Sequence, residues 1–108
     1  KLLQKRGYDV MVAKDGLDAV EQLRSRVPDV MLVDIEMPRM DGYELTGRVR
    51  ADAGLRHIPI IMITSRAGEK HRNRAFELGV DIYMSKPYQE DDLLRNIENL
   101  LAHGRARA

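Results

Sequence analysis

Three kinds of side chain in this sequence could act together on a phosphoryl group: the carboxylate of Asp34, the hydroxyls of Thr64 and Ser65, and the ammonium of Lys86. Each follows a short apolar run. Residues 30–33 precede Asp34, residues 58–63 precede Thr64-Ser65, and residues 80–84 precede Ser85-Lys86-Pro87. A carboxylate can attack phosphorus, while a hydroxyl and an ammonium bind oxygens of the transferred group, whose charge spreads over three equatorial positions. Taken singly, each residue also has an ordinary reading. A strand-end Asp is often a turn residue or a helix cap, Thr-Ser after a strand often caps a helix, and Lys before Pro is usually a solvated loop residue. The specific signal is the order and spacing of all three on alternating elements.

The first two runs are too short and too evenly apolar for amphipathic helices, so they read as buried strands of a parallel sheet, and residues 80–84, which include Asp81, read as a third short strand. Right-handed crossovers then bring their carboxyl ends to one edge, where ligands bind in open α/β sheets. The intervening segments supply the crossovers. Residues 1–7 look like the last turns of a helix stopped by Gly7. Residues 8–13 read as another short strand, giving four in all. Asp15-Gly16 turns that strand into a helix capped by Asp15, with Leu17, Val20, Leu23 and Val27 at helical spacing and Pro28 as its end. A helix over about 42–51 has Asp41 as cap, Glu44 three residues on, and Leu45 and Val49 as its buried side. Residues 69–78 form a charged helix closed by Gly79. The last helix carries Glu90, Asp91 and Asp92 in its first turn, then Leu93, Leu94, Ile97, Leu100 and Leu101 on one face. Strand and helix alternate throughout, which predicts an α/β domain with helices on both faces of the sheet.

Composition narrows the function classes. The sequence has 108 residues, enough for one domain with a core of its own. Lys and Arg number 18 against 17 Asp and Glu, a formal charge of +1, so no global charge calls for nucleic acid or an anionic membrane. There is no Cys, hence no disulfide or thiolate metal site. Neither a membrane-spanning run nor a signal-peptide pattern is present, and the expected location is cytoplasmic. No GxGxxG or GxxxxGK[ST] loop offers itself to a nucleotide.

The segment Leu32-Val33-Asp34-Ile35-Glu36-Met37-Pro38-Arg39-Met40-Asp41-Gly42 resembles the phosphoacceptor segment of response-regulator receiver domains, and the likeness extends over essentially the whole chain. It implies a doubly wound, CheY-like sheet of order 2-1-3-4-5, with a receiver domain over 1–103 and a frayed tail over 104–108. It implies Asp34 as phosphoacceptor, Thr64 as the hydroxyl that moves toward the phosphoryl group, Lys86 as the cation contacting it, and Ser65 as a further phosphate-binding hydroxyl. Tyr83 matches the family's aromatic switch position, against the alternative of a partly buried strand-end aromatic. Lys86-Pro87 matches a turn whose peptide bond is commonly cis in the family. Glu36 and Arg66 stand where the family varies the lifetime of its phosphorylated state. They are also plain solvated residues by type. Thr64 to Arg72, Glu77-Leu78-Gly79-Val80 and Lys86 to Glu90 look like the C-terminal receiver of chemotaxis-type hybrid histidine kinases. The implied partner is a phosphohistidine domain of a sensor kinase or phosphotransfer protein, and the receiver itself is a phosphoacceptor rather than a conventional enzyme. His71, in a charged helix, is not read as that donor. Lys70, Arg72 and Arg74 form a basic patch without interleaved aromatics, which does not make a nucleic-acid surface.

A dianionic donor is repelled by a carboxylate, so acceptance calls for a divalent cation, Mg²⁺ or Mn²⁺. Asp34 supplies one ligand, and by resemblance the backbone carbonyl of Glu36 supplies another. The family's remaining carboxylates are an adjacent acidic pair ending its first strand. This sequence shows no such strand, and Asp9 and Asp15 are poor substitutes, the one beginning a strand and the other capping a helix. The absent strand belongs in the middle of the sheet, and unpaired backbone groups there cost roughly 1–3 kcal/mol each if buried. The expectation is that the first strand and the start of the first helix, about twenty residues, lie outside this chain, or that a neighbouring chain fills the gap by dimerisation or strand exchange. Two other functions compete: a phosphorylation-independent docking or dimerisation module on the same fold, and a haloacid-dehalogenase-like phosphatase. The phosphatase would want Asp at position 36, where this chain has Glu36.

Overall fold

The computed structural model describes residues 2–36, 39–65 and 68–104. Three parallel strands, β1 (Met31–Asp34), β2 (Ile60–Thr64) and β3 (Ile82–Ser85), form a sheet of order β1-β2-β3. Five helices surround it: α1 (Leu2–Lys5), α2 (Gly16–Ser25), α3 (Gly42–Ala51), α4 (Glu69–Leu78) and α5 (Glu90–His103). The alternation of β2 sorts the core into two layers. Ile60 and Met62 join Leu45, Val49 and Ala75 under α3 and α4, while Ile61 and Ile63 join Leu93, Ile97 and Leu100 under α5. All five residues of β2 are buried. An evenly apolar run is therefore what a strand covered on both faces requires.

Caps fall where the side chains predict them. Asp15 accepts a hydrogen bond from the N–H of Asp18 at 2.9 Å, and Asp41 accepts one from the N–H of Glu44 at 2.9 Å. Asp15 is buried and also takes the guanidinium of Arg39, whose Nε lies 2.7 Å from Oδ2. Arg39 holds φ at 67°, a left-handed conformation costly for a residue with a Cβ. The ion pair thus ties the loop after β1 to the start of α2. Gly42 serves the same loop: a Cβ there would lie 2.5 Å from the carbonyl oxygen of Asp34. Only glycine lets α3 begin that close to the end of β1.

Residues 8–13 correct the sequence reading, since they form no strand and the described sheet has three strands rather than four. A strand exists through its ladder, and among the described residues no N–H from Asp9 to Ala13 makes a backbone hydrogen bond. A cavity of about 500 Å³ separates this segment from β1. The same cavity explains why Val27 and Leu101, expected on buried helix faces, are 52% and 40% exposed; Leu17, also expected there, is 41% exposed.

One buried network joins the layers. Arg50 of α3 donates to the carbonyls of Arg56, Ile58 and Gly79 and pairs with Asp81 at 2.9 Å. Asp81 in turn accepts from the N–H of Ile60 at 2.8 Å. Both side chains are largely buried, at 13% and 5% exposure.

Two outcomes follow from these contacts. Replacing Arg50 by Met takes away a cation from the buried Asp81 carboxylate and is expected to cost about 3–5 kcal/mol, read as a fall in the urea midpoint. Helix capping by the Asp18 N–H, and then Arg39, hold the Asp15 carboxyl below its ordinary pKa, against the opposing effect of burial. A lowered folded-state value means stability that is complete above the ordinary carboxylate range and lost as pH falls through the folded value. Thermal melts between neutral and acid pH should show that loss in the native chain and less of it in Asp15→Asn.

Candidate functional site

The carboxyl ends of the three strands meet at one edge of the sheet because all three run parallel, with Asp34 opposite Ile63 and Thr64 opposite Ser85 in register. β1 ends in Asp34, whose side chain remains 36% exposed. Its Oδ1 accepts from the N–H of Glu36 at 3.0 Å, and its Oδ2 accepts from Lys86 Nζ at 2.8 Å. Lys86 reaches it across the sheet from the loop after β3. That loop contains a cis Lys86-Pro87 peptide bond, and the Lys86 N–H donates to the carbonyl of Thr64 at 2.7 Å. The hydrogen bond to Asp34 raises the Lys86 pKa, aided by the charges of Asp34 and Glu36 and opposed by burial.

The hydroxyls are arranged differently from one another. Ser65 is exposed, and its Oγ lies 3.3 Å and 3.5 Å from the two carboxylate oxygens of Glu36, so a contact between strand ends bridges the cleft mouth. Thr64 is fully buried. By strand alternation it shares a face with Met62 and Ile60, and Tyr83, opposite Met62 in register, packs half-buried against that same layer. Thr64 and Tyr83 therefore lie together on the α3–α4 side of the sheet. The structure brings Asp34 into direct contact with Lys86 and Glu36 into contact with Ser65. Met37, Pro38 and Arg66, together with residues 105–108 of the expected tail, lie outside the described residues.

From sequence, His71 is expected on a solvated helix face, and Lys70, Arg72 and Arg74 in a local basic patch. His71 is half-buried, and its carbonyl accepts from the Tyr43 hydroxyl at 3.3 Å. The Arg72 guanidinium stacks 5.1 Å from the Phe76 ring, and that of Arg74 lies 5.6 Å from the Tyr43 ring. Both arginines remain exposed while stacking on these rings. The Arg39–Asp15 tie and the close approach of Gly42 to Asp34 escaped the sequence reading. Asp41-Gly42 was legible as a cap, but the nearness of β1 was not.

A metal ion needs more than the described residues offer. Among the described residues, Asp34 and Glu36 are the carboxylates at the strand edge, and Glu36 faces Ser65. Asp15 is engaged by Arg39 and by the start of α2, and Asp9 is paired with Arg26 at 2.7 Å. No group of three or more His, Cys, Asp or Glu that could hold a metal occurs among the described residues. These residues do not fit a complete divalent-cation site, so no step is assigned to a metal here.

The Lys86–Asp34 pair makes a spectroscopic prediction. A raised lysine pKa means an interaction present below the ordinary lysine value and lost as pH rises through the raised one. Asp34→Asn should lower the Lys86 pKa in an NMR titration of the side-chain ammonium. An unchanged Lys86 would contradict the hydrogen bond as the main cause.

Comparison with known proteins places this architecture. A family model described as the response regulator receiver domain matches residues 1–98. Protein PilG of Pseudomonas aeruginosa is 35% identical over 97 residues, which cover 90% of this chain and 72% of PilG. The sensor histidine kinase CheAY of Helicobacter pylori is 39% identical over 95 residues, covering 86% of this chain and 12% of that protein. Hybrid signal transduction histidine kinase D of Dictyostelium discoideum is 33% identical over 105 residues, covering 97% of this chain and 7% of its own length. The chain thus spans a small part of those two kinases. The solved receiver domain of sensor histidine kinase PA1611 from Pseudomonas aeruginosa PAO1, with a magnesium ion coordinated in its active site cleft, superposes with a TM-score of 0.85 at 31% identity, covering 94% of this chain and 83% of that one. With three parallel strands ending in Asp34, Thr64 and the loop of Lys86, and with a family match from residue 1 to residue 98, this chain belongs to the response regulator receiver domains of two-component systems.

Proposed function

We propose that Asp34 accepts a phosphoryl group from a phosphohistidine of a sensor kinase or phosphotransfer protein. The observation that carries this reading is the 2.8 Å contact of the Lys86 ammonium with Oδ2 of an exposed strand-end carboxylate. A carboxylate oxygen of Asp34 forms a bond to phosphorus as the P–N bond to the donor imidazole breaks, its electron pair passing to the ring nitrogen. Lys86 then shifts from neutralising the carboxylate to contacting phosphoryl oxygens, and Ser65, at the cleft mouth, is placed to donate to them. The added charge draws the Thr64 hydroxyl toward the cleft, and Tyr83 follows into the space on the α3–α4 side. That movement alters the surface around α4 and β3 and so the binding of a partner.

A divalent cation belongs to this reading, because the receiver of PA1611 holds magnesium in its cleft. Asp34 and the carbonyl of Glu36 are the ligands this chain would contribute. Further carboxylates would come from outside the described residues. The domain is taken as residues 1–103, through the end of α5, and its location as cytoplasmic. No described helix is long and apolar enough to cross a membrane. Phosphorylation-independent docking is the competing reading, favoured by the single carboxylate facing Lys86.

Intact mass after incubation with phosphoramidate, with and without Mg²⁺, separates them. The expected result is a Mg²⁺-dependent gain of one phosphoryl group that Asp34→Asn abolishes. Lys86→Ala should slow the gain by about 10²-fold or more. No gain in a folded protein that also carries the further carboxylates would favour the docking module.

A further inference from the structure

The loop between β1 and α3 is fixed at points outside the cleft itself. Its two ends are joined beside Asp34, where the N–H of Gly42 donates to the carbonyl of Ile35 at 3.0 Å. Met40 is buried, and α2 approaches it so closely that a Cβ on Gly16 would lie 2.4 Å from the Met40 carbonyl oxygen. Next to Met40, Arg39 reaches Asp15, its Nε 2.7 Å and its Nη2 2.6 Å from one carboxylate oxygen, Oδ2. The other oxygen, Oδ1, accepts the N–H of Asp18 at 2.9 Å and caps α2. Asp15 thus gives one oxygen to the helix and the other to the loop.

Helix capping accounts for Oδ1 alone. A cap needs a single side-chain oxygen, which Ser supplies as well as Asp. The Arg39 backbone stands at φ 67°, a conformation disfavoured for a residue with a Cβ and kept only where its surroundings impose it. Two charge-assisted hydrogen bonds to a carboxylate whose side chain is 9% exposed impose it here. The loop carries Glu36, whose N–H binds Asp34 Oδ1 at 3.0 Å while Lys86 binds Oδ2 at 2.8 Å. Those two bonds set the rotation of the acceptor carboxylate, and the direction of the Glu36 N–H follows the path of the loop. A displacement of about 1 Å at a reacting group costs on the order of 10²-fold in rate.

We propose that Asp15 and Arg39 are positioning residues for phosphoryl acceptance: their ion pair fixes the loop after β1 so that the Glu36 N–H orients the Asp34 carboxylate for attack on phosphorus. The proposal rests on the reading of Asp34 as phosphoacceptor, and it extends the site to two residues that act only through the loop.

The test pairs a rate with a resonance. Asp15→Ser keeps an oxygen for the α2 cap and removes the one that meets Arg39. Arg39→Gln removes the charge, and Arg39→Lys keeps it without the fork that reaches Oδ2 through two nitrogens. Phosphoryl gain from phosphoramidate with Mg²⁺ is followed by intact mass over a range of donor concentrations, in the protein that also carries the further carboxylates. The expected maximal rate is lowered about tenfold or more in Asp15→Ser and Arg39→Gln, with the half-saturating donor concentration unchanged. Arg39→Lys should recover part of the rate, and combining Asp15→Ser with Arg39→Gln should bring no further loss, because the two residues act as one pair. Without donor, the amide proton resonance of Glu36 should move in both single variants toward its position in Asp34→Ala, where its hydrogen bond to Oδ1 is absent. Native rates, or an unmoved Glu36 resonance, in variants whose thermal melts show them folded overturn the proposal. Should Arg39→Gln not fold, Arg39→Lys carries the same test with a smaller loss. A native protein that gains no phosphoryl group overturns the phosphoacceptor reading instead, and the Glu36 resonance then decides by itself whether the pair orients Asp34.

Discussion

Everything in this domain is referred to β2, a strand whose five residues are all out of water. A strand buried on both faces needs helices on both, and here the two crossovers α3 and α4 cover one face while α5 covers the other. The neighbouring strands run parallel, since each returns to the sheet through a helix. The gathering of Asp34, Thr64 and Lys86 at one edge is a consequence of that direction. The Arg50–Asp81 network reinforces the same arrangement, because Asp81 accepts from the first N–H of β2, and Arg50, from α3, donates to Asp81 and to three carbonyls.

At the edge, the charges are held in a compact arrangement. Lys86 neutralises Asp34 directly, Glu36 is shared with Ser65, and Arg39 is drawn away to Asp15. Asp34 keeps a third of its side chain open to solvent beside an ammonium 2.8 Å away, which suits a group that must receive an anion. The left-handed Arg39 and the Cβ-free Gly42 hold the loop after β1 close against the strand, so the reacting end of Asp34 stands on packed structure rather than on a free loop.

The cavity beside β1 is the counterpart of this order. Residues 8–13 and α2 are held to the rest through the Asp15–Arg39 tie and through Leu23, while the cavity separates them from the sheet. Apolar positions on α2 and α5 that would otherwise complete a core remain in contact with water. Tyr83 and Thr64 sit on the other side of the sheet, in the layer under α3 and α4.

Much of the architecture was legible because it is local. The apolar runs ending in Asp34 and Thr64, the Asp15 and Asp41 caps, the left-handed Gly79 and the apolar face of α5 are written in neighbouring residue types, and the family resemblance follows the same segments. Whether residues 8–13 pair was not legible. Their pattern suits a strand, but a strand needs a partner at hydrogen-bonding distance, and only the tertiary structure shows a cavity where that partner would lie. The same reason separates Leu17 and Val27, apolar at helical spacing yet exposed, from Leu45 and Val49, which are buried. The sequence by itself determined which residues could do chemistry and which strand ends carry them, because strand direction and side-chain type are local properties. The tertiary structure alone decided that Lys86 touches Asp34, that Thr64 is buried, that Arg39 turns to Asp15 and that β1 has a free edge, because each depends on distances between segments far apart in the chain.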